Sequence, residues 1–219
     1  MDPVTGFSRR ALLALAGAVV VGIAAGTVAT VIDAGTDDAC PDPEYGCARF
    51  EPGEPVQVGA LFPDDSEGLS GVSAAVRSRG TLLGRPLRVV PFDLSCSVRE
   101  TAEAGREFAT DPPDGPPVLA VITETCSAAE IPLAQILDDS GITLISTLHP
   151  AETPAPLPFY LAGVGSAAEI AEPIEPAAAA AAETVLDVVE RVAVEHEGDL
   201  LVPRTQLRDG LLEAGLTPA

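Results

Sequence analysis

At 219 residues and 47% hydrophobic content the chain can bury one moderate core or two small ones, which excludes a polypeptide disordered throughout. Its 33 Asp and Glu stand against 12 Arg and no Lys, for a net charge of -21, and a field of that sign repels phosphate backbones and excludes nucleic acid as a partner. With six Phe, two Tyr and no Trp, the core falls to Ala, Val, Leu and Ile, and sugar binding by aromatic stacking is disfavoured.

The absence of Lys beside abundant Ala, Gly, Pro and Arg fits a GC-rich genome or adaptation to salt. The charge is also unevenly placed. Residues 1–32 carry +1 from Arg9, Arg10 and Asp2, and the remainder carries -22. Residues 11–32 form an uncharged apolar run long enough, at about 1.5 Å per residue, to cross a hydrocarbon layer of about 30 Å. Ser8-Arg9-Arg10 followed by Ala11-Leu12-Leu13 resembles the start of a twin-arginine export signal, with Ala14 where a Lys is often found. A cleaved signal and a retained transmembrane helix both remain open. Small residues at Ala24, Ala25, Thr27 and Ala29 offer cleavage sites, whereas the length favours retention. Either way residues 1–10 stay cytoplasmic and the acidic remainder is expected outside.

Residues 33–55, rich in Asp, Gly and Pro and without apolar period, read as a linker, and the folded domain is expected over 56–219. Four cysteines in an exported chain suggest two disulfides, with three pairings possible. Cys40 and Cys47 would close a small loop in the linker, and Cys96 and Cys126 would then pair. Zinc is disfavoured, because the only His are His149 and His196 and no Cys-x-x-Cys spacing exists.

Val56 to Phe62 predicts a strand, Leu69 to Ser78 a short helix stopped by Gly80, and Leu87 to Phe92 a second strand, edge or terminal because of Pro91. Ser97 to Thr110 has the helical period. Val118 to Ile122 is an unbroken apolar run, as in a strand buried on both faces. Ser127 to Ser140 predicts another helix and Ile142 to Ile145 another buried strand. Alternating strands and helices predict a parallel α/β sheet of Rossmann type, with ligand loops at the carboxyl ends of its strands. Val185, Val188, Val189 and Val192 lie on one face of a later helix, which is expected to pack on the sheet.

Leu83-Gly84-Arg85-Pro86-Leu87, Cys96 before a helix, Thr125-Cys126-Ser127-Ala128-Ala129 opening the next helix, and Gly141-Ile142-Thr143-Leu144-Ile145-Ser146 stand in this order along the chain. Together they resemble the periplasmic solute-binding proteins of the branched-chain amino-acid, leucine-binding-like (type I) class. The likeness runs from about Val58 to Gly163. It implies a Cys96–Cys126 disulfide and a ligand carboxylate held at Ser127 and the adjoining Ala128 backbone. Family members close two lobes on a ligand over chains of about 330 to 400 residues. This chain passes from Phe159-Tyr160-Leu161-Ala162-Gly163 almost directly to helices over 176–216, so the resemblance implies a chain reduced to its first lobe.

In the second ligand loop, Ser146-Thr147-Leu148-His149-Pro150, a Pro stands where the family has a ligand-contacting Thr, leaving Thr147 and the Leu148 backbone. The shortened loop Pro63-Asp64-Asp65-Ser66 brings an acidic pair that would oppose an anion. Against the ligand role, Ser127 with Glu130 three residues on also reads as a plain capping box, and a lone loop His149 as a surface residue. No catalytic residues and no cofactor are expected. The resemblance implies a small polar ligand such as an amino acid and a transporter or sensor partner in the membrane. The rival expectation is a structural or protein-interaction domain that has lost ligand binding.

Overall fold

A computed structural model of the chain describes residues 40–64, 66–93, 96–110, 117–124, 127–147, 156–162 and 174–219. All belong to one compact unit, Cys40–Ala219. Arg9, Arg10 and the apolar run 11–32 lie outside the described residues. Among the described residues no helix is long and apolar enough to cross a membrane.

Among the described residues there are ten strands, β1 (Cys47–Phe50), β2 (Val56–Phe62), β3 (Thr81–Leu82), β4 (Arg85–Asp93), β5 (Val118–Thr123), β6 (Thr143–Ser146), β7 (Tyr160–Ala162), β8 (Val194–His196), β9 (Asp199–Pro203) and β10 (Thr217–Pro218). The helices among them are α1 (Glu67–Arg79), α2 (Val98–Ala109), α3 (Ser127–Asp139), α4 (Ile174–Val192) and α5 (Arg204–Glu213). Local chemistry sets their ends. Ser66 caps α1 by accepting from the Leu69 N–H at 3.1 Å, Glu67 and the pair Arg77 and Arg79 suit the two ends of its dipole, and Gly80 stops it at φ 70°. Ser97 caps α2 in the same way.

The main sheet has the order β10-β7-β6-β5-β2-β4-β3. Its central strands β4, β2, β5, β6 and β7 are mutually parallel, and hairpin-like antiparallel pairs close both edges. Strands β2, β5 and β6, apolar but for Gln57, Thr123, Thr143 and Ser146, are buried throughout between two helical layers. On one face Val56, Val58, Ala60 and Phe62 pack with α1, α4 and α5. On the other Leu61, Val121 and Leu144 pack with Phe108 of α2 and with Leu133 and Leu137 of α3. A register shift between Gln57 and Gly59 against β5 puts both Leu119 and Ala120 on the α1/α4 side. Pro91 is tolerated because β4 is bordered beyond only by the two-residue β3.

Helices α1 and α4 approach so closely that a Cβ on Gly71 would lie 2.2 Å from the Glu175 carbonyl oxygen. Ala178, Ala181 and Ala182 are buried on α4, and their small side chains let the two helix backbones meet.

The linker expectation is corrected for its second half. Residues 47–50 form β1, which pairs antiparallel with β9 and buries Ala48 and Phe50 in the core. The buried Arg85 clamps this second sheet, β1-β9-β8, by donating to the carbonyls of Glu51 and Gly198. The sequence shows only four residues of alternation among Pro, Gly and Asp, and the strand exists because β9 supplies its partner. The stretch 176–216, read as helices, likewise contains the β8–β9 hairpin between α4 and α5.

Candidate functional site

Parallel strand order reverses between β2 and β5, since β4 lies beyond β2 while β6 and β7 lie beyond β5. At such a point the connections leave to opposite faces and open a crevice at the carboxyl ends of the strands. Phe62, Thr123 and Ser146 end the three strands there, with Glu124 and Thr147 following.

A hydrogen-bond chain ties these ends together. Thr123 Oγ1 donates to the Leu61 carbonyl at 2.9 Å, and the Thr147 backbone N–H and Oγ1 both donate to the Thr123 carbonyl, at 2.9 and 3.0 Å. The half-buried Thr147 hydroxyl has therefore committed its single proton inside the protein, leaving lone pairs to accept a hydrogen bond from a ligand.

Glu124 lies on the α1 side of the crevice. Its Oε2 is 3.1 Å from where a Cβ on Gly68 would stand, over the first turn of α1 and beside the Phe62 ring. That oxygen is buried and has no hydrogen-bond partner. Burial first, and the neighbouring Glu67 carboxylate second, push the Glu124 pKa up. Alternation along the strands places Thr147 on the same side, two residues beyond Ile145, which packs in the α1/α4 cluster. Ser127 begins α3, with an exposed Ala128 beside it, on the opposite side of the sheet.

Of the residues expected at the site, Thr147, Ser127 and Ala128 therefore gather at one end of the sheet, whereas Leu148, His149 and Pro150 lie outside the described residues. Glu124 went unremarked in the sequence. Its one signal there was its place two residues after the apolar run Val118–Ile122 and shortly before the start of a helix. Cys40 and Cys47 form a disulfide. Cys96 is disulfide-bonded as well, and its expected partner Cys126 lies outside the described residues. Among the described residues no cluster of three or more His, Cys, Asp or Glu has the arrangement of a metal site. A cavity of about 170 Å³ between α1 and α4 is ringed by Arg79, Asp187 and Glu183, and there Arg79 is already paired with Asp187 and Glu190 at 2.6 Å.

The strand order defines a doubly wound α/β fold with its topological switch point at the carboxyl ends of β2 and β5. No protein-family model matches the chain and no curated protein does. Similar solved structures are branched-chain amino-acid transporter substrate-binding proteins and their like. An ABC transporter substrate-binding protein from Desulfitobacterium hafniense is 25% identical with a TM-score of 0.44, over 54% of this chain and 36% of that one. A Leu complex of such a protein from the same organism is 20% identical with a TM-score of 0.44, over 73% and 47%. The branched-chain amino acid binding protein LivJ of Streptococcus pneumoniae, in complex with isoleucine, is 19% identical with a TM-score of 0.42, over 50% and 33%. The matched region thus spans between a third and a half of these proteins.

Proposed function

We propose that the chain is a non-catalytic, extracytoplasmic solute-binding-like domain, a single lobe that binds a small polar ligand such as an amino acid weakly or presents this face to a transporter or sensor in the membrane. The observation that carries the reading is the topological switch point between β2 and β5, with Thr147 beyond one strand end on one side of the sheet and the start of α3 on the other. Residues 11–32 serve as its membrane anchor or as a cleaved export signal. Ligand pockets generally enclose roughly 70 to 90% of their ligand, and one lobe covers one side only, so water competes for each contact. Affinity for a free amino acid is therefore millimolar or weaker unless a second surface completes the site.

Calorimetric titration of the full chain with leucine, isoleucine, valine and acidic amino acids tests this. Weak saturable binding is expected. Silence across the panel, together with a partner protein whose binding survives Ser127→Ala and Thr147→Val, would favour the rival reading of an interaction domain without a ligand site.

A further inference from the structure

We propose that the ligand group entering this crevice is an organic cation, a protonated amine or a guanidinium, accepted by the Glu124 carboxylate and the Thr147 hydroxyl oxygen. The proposal rests on reading the strand ends as a ligand site. Two observations carry it. The first is that Glu124 Oε2 is buried at the switch point with no hydrogen-bond partner among the described residues. A buried acceptor without a donor is costly, and a ligand N–H satisfies it. The second is that Thr147 Oγ1 has given its proton to the Thr123 carbonyl, so toward a ligand it acts only as an acceptor.

Both groups stand on the α1 side and both ask for donors. A carboxylate ligand brings only acceptors. It would also face Glu124 over the first turn of α1, where the helix dipole would otherwise attract an anion. Glu67 and Asp64 at the neighbouring loop, with Asp93 accepting from the Asp64 N–H at 3.2 Å, add negative potential at the same strand ends. A primary amine or guanidinium supplies several N–H donors to this acceptor set.

The test is isothermal titration of the full chain at about 0.15 M salt, where exposed charges more than about 8 Å apart are screened. The probes are arginine, putrescine, leucine and glutamate. Arginine and putrescine carry net positive charge, with and without a guanidinium, whereas leucine is a neutral zwitterion and glutamate an anion, so both cations are expected to bind at least about tenfold tighter than leucine, with glutamate weakest. Glu124→Gln should weaken the cations about tenfold or more, Thr147→Val should weaken them less, and Glu213→Gln, exposed on α5, should leave them unchanged. Thermal melts confirm that each variant folds. Equal loss with Glu213→Gln would mean diffuse attraction to an acidic surface and overturn the proposal. Leucine binding tighter than arginine and indifferent to Glu124→Gln would overturn it while leaving the solute-binding reading standing. Silence from all four probes would overturn this proposal and the small-ligand branch of the solute-binding reading, and would leave its membrane-partner branch to the partner-binding test.

Discussion

The Thr205 backbone N–H donates to Asp42 Oδ2 at 2.6 Å across 163 residues of chain. Helix α5 begins after Pro203, which offers no side-chain cap, so the first-turn donor is satisfied from the Cys40–Cys47 loop instead. Asp42 Oδ1 meanwhile accepts from the Glu44 and Tyr45 N–H groups and holds the loop in shape. Tyr45 then packs edge-on against Phe159 with ring centroids 4.6 Å apart, and Arg208 of α5 lies over the other ring at 5.1 Å.

Asp42→Ala should therefore cost about 1 to 2 kcal/mol at neutral pH, the usual worth of a helix cap. Burial alone would raise the Asp42 pKa, but the N–H groups of Thr205, Tyr45 and Glu44 outweigh it and hold the pKa below 3.8. A depressed carboxyl pKa contributes stability that is present above the unfolded value and lost as pH falls through the folded one. Urea melts should show the cost at pH 7 and its progressive loss as pH falls from 3.8 toward the lower folded pKa; an equal cost throughout would refute the capping role.

Glu124→Gln should stabilise the chain at pH 7. The folded pKa is raised, so relative stability is complete below the unfolded value of 4.5 and is lost as pH rises through the folded value. Melting temperatures of variant and wild type should converge at pH 4 and separate above it, the variant higher. A variant less stable at pH 7 would mean that the carboxylate has a favourable partner.

Gly71→Ala should be strongly destabilising, by about 1 to 3 kcal/mol or more, because the added methyl meets backbone that cannot rotate away. Ser70→Ala, exposed on the same helix, is the control and should change stability little. Denaturation midpoints that match for both variants would show that α1 and α4 have room to separate.

Peptide mapping under non-reducing conditions should recover Cys40–Cys47 and Cys96–Cys126. Removing the shorter loop's bond should cost roughly 2 to 3 kcal/mol in the chain-entropy model and release the Asp42 cap with it. A mixture of pairings would contradict the expectation.

Added salt should raise the melting temperature. A charge of -21 on a chain of this size repels itself in the compact state, and screening relieves that repulsion. Melts at 0.05 and 1 M sodium chloride compare the two conditions, and a flat response would show that the charges are already neutralised locally.

Where an element announces itself through its own residues, the sequence was sufficient. Val118–Ile122 is an unbroken apolar run and Val56–Phe62 a short strand pattern, both of which are buried strands, and alternation of strands with helices pointed to the parallel α/β sheet. Tertiary structure alone decided the rest. The strand Cys47–Phe50 is stable only because β9 satisfies its backbone and the core takes Ala48 and Phe50, and no local period can reveal a partner 150 residues away. Glu124 and Thr147 read as an ordinary surface acid and a loop hydroxyl until burial removes the water from one and the Thr123 carbonyl takes the proton of the other. Hydrophobic pattern is a property of neighbours in sequence, whereas desolvation and hydrogen-bond satisfaction depend on neighbours in space.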